Sequence, residues 1–171
     1  MNLVELAVQH YRNFGEQVSL IFEDQEYKNV QLLRYSEQLA HGLKGLDVKM
    51  GDRVMVMLMN SPEVLISYQG ILRAGGIIVP VINFLGEREM IHILRNSESK
   101  VLITNRNLMS KIEKGRADIE TLKQIIVVEN EDIPGTVNFW NLVRTSSEEP
   151  NNIEIDEYDL AVILYTAGTT G

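Results

Sequence analysis

The chain has 171 residues, 44% hydrophobic and 23% charged, with four prolines, which fits one globular unit with a sizeable core and excludes a disordered or low-complexity chain. Sixteen basic residues against 24 acidic ones give a formal net charge of −8, a field that repels phosphate backbones and argues against nucleic acid as a partner. Cysteine is absent, which excludes disulfides and thiolate sites and fits a reducing, cytoplasmic setting.

Leu3, Val4, Leu6, Ala7, Val8, Tyr11 and Phe14 recur at roughly helical spacing, interrupted by Glu5 and preceded by no basic residue. This predicts a docking helix and not a signal peptide. Val18 to Phe22 reads as a strand, Glu23, Asp24, Gln25 and Glu26 as a turn, and Tyr27 as the return of a small antiparallel hairpin. Leu32, Tyr35, Ser36, Leu39, Leu43 and Leu46 lie three and four apart, predicting a helix over Val30 to Leu46 with Arg34, Glu37 and Lys44 on its charged face.

From Asp52 onward, strand and helix patterns alternate. Val54 to Met59 is a continuous apolar run, consistent with a strand covered on both faces. Ser61 as cap and Pro62 at the first position start a helix with Val64, Leu65, Tyr68, Ile71 and Leu72 inward, and Gly75 and Gly76 stop it. Ile77 to Ile82 follows as a strand, Glu87 to Asn96 as a helix with Met90, Ile91 and Leu94 inward, and Val101 to Thr104 as a strand. Asn107 to Lys114 reads as helical and Ile125 to Val128 as a strand. An acidic, loop-rich stretch containing Phe139, Trp140 and Leu142 precedes the last strand, Leu160 to Tyr165. Glu148 to Asn152 reads as a surface loop. The expected fold is therefore α/β and three-layered, with a mostly parallel central sheet, flanking helices and a small N-terminal hairpin. Val54, Val56, Leu58, Ile78, Leu102, Ile126 and Ile163 are its expected core. No apolar run approaches the ~20 residues of a membrane span, so no transmembrane segment is expected.

His10, His41 and His92 are far apart and lack metal-ligand spacing, and the acidic groups near Glu129 and Asp156 lack a calcium-loop pattern, so no metal site is expected. Asp52 and Arg53 read as a turn and strand-start pair. Chemistry concentrates at the end of the chain, where the apolar run Leu160 to Leu164 feeds Tyr165, Thr166, Ala167, Gly168, Thr169, Thr170 and Gly171. Glycines let backbone amides approach a polyphosphate, and threonine hydroxyls add neutral donors. Taken as composition alone, such a loop also serves as an ordinary turn. It is neither a Walker A loop nor a dinucleotide fingerprint.

This segment resembles the signature Y-T-S-G-T-T-G-x-P-K-G of the adenylate-forming, AMP-binding superfamily of acyl-CoA synthetases, nonribosomal adenylation domains and luciferases, matching six of its first seven positions. Upstream, Lys49 to Val54 resembles K-x-G-D-R-V, Asn60 to Glu63 resembles N-S-P-E, Leu72 to Pro80 resembles L-x-A-G-G-x-x-V-P, and Asp159 to Tyr165 resembles D-x-A-x-I-x-Y. The wording is most similar to bacterial long-chain fatty-acid-CoA ligases.

The resemblance implies that residues 1–171 are the N-terminal portion of the adenylation domain, ending inside the phosphate-binding loop. It implies an acid-thiol ligase using ATP, Mg2+ and CoA that activates a carboxylic, in this reading fatty, acid as its acyl-adenylate and passes it to CoA. Thr166, Ala167, Gly168, Thr169, Thr170 and Gly171 would hold the β- and γ-phosphates, with Ala167 replacing the usual Ser. The Pro-Lys-Gly end of the motif and the later catalytic segments lie beyond Gly171, so no catalytic set is complete here and the 171 residues alone are expected to be inactive. An exposed apolar patch and homo-oligomer formation are expected with them. The alternative is a noncatalytic α/β module for oligomerisation or protein binding.

Overall fold

A computed structural model of the chain describes residues 2–166. Helix α1 (Leu3–Phe14) begins at a reciprocal cap: the Asn2 side chain accepts the Glu5 amide at 2.9 Å, and the Glu5 carboxylate accepts the Asn2 amide at 3.2 Å. None of its residues is buried, and it lies on the molecule through side chains such as Val4. Strands β1 (Val18–Phe22) and β2 (Gln25–Lys28) form the expected antiparallel hairpin. Its turn is shorter than the sequence implied. Only Glu23 and Asp24 turn, both at positive φ (47° and 62°), while Gln25 and Glu26 belong to β2. Two left-handed residues match the twist of the flanking strands.

Helix α2 (Asn29–Gly45) follows, then a parallel sheet built from β3 (Arg53–Val56), β4 (Ile77–Pro80), β5 (Val101–Thr104), β6 (Gln124–Val127) and β7 (Val137–Asn138). Its order is β4-β3-β5-β6-β7. Helices α3 (Pro62–Arg73), α4 (Glu87–Asn96), α5 (Arg106–Met109), α6 (Glu113–Arg116) and α7 (Phe139–Thr145) complete the described elements. The two-residue period of the strands divides their side chains between two cores. Val54, Val56, Ile78, Ile103 and Ile126 meet α2, α3 and α7 on one face. Met55, Val79, Leu102, Ile125 and Val127 meet α4 and the α5–α6 segment on the other. This is the three-layer α/β architecture expected, and among the seven expected core residues only Leu58 and Ile163 are half-buried.

Several expectations are corrected. Ser61 precedes α3 but makes no side-chain cap, so Pro62 alone marks the start. The inward face of α3 carries Ile66, Ser67, Gly70, Ile71 and Leu72, while Leu65 is exposed. A methyl group on Gly70 would stand 2.8 Å from Leu39 Cδ2, so the missing side chain at Gly70 lets α2 and α3 approach. In α4, Ile93 is buried where Ile91 is half-buried. The stretch read as helical over Asn107 to Lys114 is two short helices. The stretch read as loop around Phe139 is strand β7 and helix α7, whose start is fixed by Asn138 accepting the Asn141 amide at 2.9 Å.

Glu37 is not on a solvated face. It forms a 2.5 Å ion pair with Arg73, which is only 3% exposed. Arg73 also donates to Ser36 Oγ at 3.1 Å, and the second Glu37 oxygen accepts the Asn151 amide and side chain, both at 3.0 Å. Burial lowers the affinity of Arg73 for its proton, while Glu37 raises it again. His41 donates to the Glu149 carbonyl at 2.8 Å and Lys44 bonds Asn151, so successive turns of α2 grip residues 149–151.

Candidate functional site

The carboxyl ends of β3 and β4 open into a cleft of about 520 Å3. Leu58 and Met59 line it from beyond β3, Ile82 and Phe84 from beyond β4, and Leu164 and Tyr165 from the segment that follows residue 160. That segment lies beside β4, as expected for the final strand, but it is held by one parallel bridge and not by a full strand: Ile78 N–H donates to the Ala161 carbonyl and Ile163 N–H to the Ile78 carbonyl, each at 2.9 Å. A second cleft, of about 480 Å3, flanks the same edge on the α4 side, and Tyr165 and Thr166 line it together with Arg88 and His92. Ligands of open parallel sheets bind at this end, where successive crossovers leave a crevice.

Thr166 is thus exposed at the carboxyl end of the sheet edge. Ala167, Gly168, Thr169, Thr170 and Gly171 lie outside the described residues. The polar groups available in the first cleft are Asn60, Tyr68, Asn83 and Tyr165. Burial pushes the Tyr68 phenol above its ordinary range, which keeps it a neutral donor at physiological pH. Phe84, at 90% exposure, and Leu164, at 71%, leave the rim strongly apolar. Among the described residues, no cluster of three or more His, Asp or Glu side chains is placed to hold a metal ion.

Sequence reading singled out Thr166 and missed the tertiary contact of the residue before it. The Tyr165 hydroxyl donates to Asn96 Oδ1 at 2.7 Å, a contact across 69 residues that no local pattern announces. Asp52 and Arg53 act structurally, as expected. Asp52 accepts the Lys49 amide at 2.8 Å and pairs with Lys100 at 3.1 Å, and Arg53 Nε donates to the Ser97 carbonyl at 2.8 Å. Gly75, at φ 78°, takes the left-handed turn between α3 and β4, and its carbonyl accepts the Gly51 amide at 2.8 Å. A separate cavity of about 430 Å3 lies at the opposite end of the sheet, beneath α1.

A family model described as AMP-binding enzyme matches residues 8–171. The chain belongs to this AMP-binding enzyme family. It is 30% identical to a medium/long-chain-fatty-acid-CoA/3-oxocholest-4-en-26-oate-CoA ligase of Mycobacterium marinum over 100% of this chain and 32% of that protein. It is 31% identical to 4-coumarate-CoA ligase 2 of Petroselinum crispum over 85% of this chain and 26% of that one. The crystal structure of the anthranilate CoA ligase AuaEII in complex with anthranoyl-AMP superposes with a TM-score of 0.90 at 27% identity, covering 100% of this chain and 33% of that one. The chain therefore spans about a third of the length of these relatives. Among the described residues no helix is long and apolar enough to cross a membrane.

Proposed function

We propose that residues 1–171 form the N-terminal portion of the adenylation domain of a cytoplasmic, ATP-dependent acid-CoA ligase. In this reading the carboxylate of the acid attacks the α-phosphate of ATP, giving acyl-adenylate and pyrophosphate, and the CoA thiol then displaces AMP. Thr166, with Ala167, Gly168, Thr169, Thr170 and Gly171, supplies neutral donors to the β- and γ-phosphates. The observation that carries the reading is the position of Thr166, exposed where the sheet edge reaches its carboxyl end beside an open cleft. A hydroxyl there, with small residues following it in sequence, suits the approach of an anionic oxygen. Mg2+ enters as the usual companion of ATP. No described residue is assigned to it, and no step is derived through it.

A fatty acid is the proposed substrate. Its support is the substrate class in the name of the Mycobacterium marinum ligase and the apolar lining of the cleft by Leu58, Met59, Ile82 and Phe84. The aromatic acids in the names of the Petroselinum crispum and AuaEII ligases mark the competing class.

ATP-pyrophosphate exchange tests the reading. The complete reading frame that encodes this chain is screened against short, medium and long fatty acids and against aromatic acids. Exchange is expected with fatty acids, falling ~10-fold or more when Thr166, Thr169 or Thr170 is replaced by Ala. Exchange with aromatic acids alone overturns the substrate, and absence of acid-dependent exchange overturns the activity. A noncatalytic binding module would give no exchange and a concentration-dependent assembly resting on exposed Phe84 and Leu164.

A further inference from the structure

Two features that local sequence leaves unconnected meet in three dimensions. Arg53 opens β3, and its guanidinium reaches the turn after α4: Nε donates to the Ser97 carbonyl at 2.8 Å, and Nη2 bonds the Glu98 carboxylate at 2.8 Å. Inside that turn the hydroxyls of buried Ser97 and Ser99 bond each other at 2.7 Å, and the Ser99 amide returns to the Leu94 carbonyl at 3.2 Å. The last residue of α4, Asn96, is therefore mounted on a turn fixed to the start of β3. Its side chain accepts the Tyr165 hydroxyl at 2.7 Å.

Tyr165 needs such an anchor. Among the described residues, the last main-chain bond along its segment is that of Ile163 to Ile78, and a single bridge does little to hold the residues beyond it. The ring of Tyr165 packs against the α4-side core, while its own residue borders both clefts and directly precedes Thr166. A fixed ring fixes the backbone from which Thr166 departs.

We propose that Asn96, carried on the turn that Arg53 holds, is a positioning residue for nucleotide binding: by accepting the Tyr165 hydroxyl it sets where Thr166 leaves the sheet. The proposal rests on the reading of Thr166 as the start of the phosphate-binding segment. Losing the bond leaves the ring free to swing and the Thr166 donor spread over many positions, so ATP binds more weakly while the chemistry of correctly bound ATP is little changed.

The test uses four variants, Tyr165→Phe, Asn96→Ala, the double variant, and Asn96→Asp, which keeps an oxygen acceptor. NMR order parameters of the Tyr165 and Thr166 amides in the 171-residue chain are expected at ~0.85 in the parent and below ~0.6 in each of the first two variants. The double variant falls no further, Asn96→Asp keeps the parent value, and the Leu102 and Ile126 amides are unmoved. Unchanged order parameters, or additive effects in the double variant, overturn the anchor. In the complete reading frame, the KM for ATP in pyrophosphate exchange is expected to rise ~2- to 10-fold in the two single variants, kcat moving less and Asn96→Asp restoring KM. A KM that does not move overturns the positioning role. A parent protein without exchange overturns the functional reading and this role with it, while the order parameters still decide the anchor.

Discussion

The two ends of the parallel sheet are built on opposite principles. At the amino ends, charge closes the structure: Lys100 pairs with Asp52 and Asp47, Arg53 spans Ser97 and Glu98, and Arg73 is buried against Glu37 where α3 turns toward β4. At the carboxyl ends, beyond β3 and β4, Met59, Ile82, Phe84 and Leu164 are exposed around a cleft whose polar groups are uncharged. Turns between crossing elements need fixed geometry, which directional charge-assisted bonds supply. A ligand-facing end needs surface that sheds water, and that surface is left bare. Stability and candidate chemistry are thus placed at opposite ends of the same strands.

Substitutions can break that contrast, and the largest effect is expected from Arg73→Ala. It leaves the Glu37 carboxylate, 14% exposed, without its cation, and is expected to cost ~3 kcal/mol, read as a lower urea midpoint at unchanged slope. A loss below ~1 kcal/mol would mean that Asn151 alone satisfies the carboxylate. Arg53→Ala comes next. It removes charge-assisted bonds to the Ser97 and Glu98 turn and should cost ~1.5 to 2 kcal/mol by the same measurement.

The Lys100 cluster gives a pH signature. The hydrogen bonds that Lys100 donates to Asp52 and then to Asp47 raise its proton affinity, and Lys100, followed by Lys49, lowers that of Asp47. A raised lysine stabilises the fold below its unfolded pKa of ~10.4 and loses this as pH rises through its folded value. A lowered aspartate stabilises it above its unfolded pKa of ~3.9 and loses this as pH falls through its folded value. The urea midpoint should therefore hold between roughly pH 5 and 9 and fall outside that window, with Lys100→Met flattening the alkaline fall. An alkaline limb that the substitution leaves intact assigns the loss to other groups. The smallest stability change is expected at the open end. Phe84→Ser should shift stability by under ~0.5 kcal/mol while reducing binding of an apolar dye. A large loss there would erase the contrast between the two ends.

Strands β3 to β6 were legible because each is a short apolar run, and strands covered on both faces admit little else, whereas β7, two residues long, offers no such run. The helices were legible in position but less so in facing. A search for large apolar residues on α3 chose Leu65, which is exposed, and passed over Gly70, whose small size lets Leu39 of α2 come close. Helix α7 has seven residues, too few for a helical period to stand out from its acidic flanks, and its signal was the single cap residue Asn138. Glu37 looked solvated because its partners, Arg73 and Asn151, lie 36 and 114 residues away. At the candidate site residue types alone left Thr166 open to reading as an ordinary turn, and only the family resemblance singled it out, while the bond of its neighbour Tyr165 to Asn96 is a tertiary contact that no local pattern carries.

The grip of α2 on residue 151 also sets a timetable for synthesis. At the usual ~5 to 20 residues per second, the 114 residues separating Glu37 from Asn151 take roughly 6 to 23 seconds to appear. During that interval a nascent chain can join Glu37 to Arg73 but leaves half of the carboxylate to water. The α2–α3 pair is consequently a waiting template, closed only when the segment leading to Thr166 has been made.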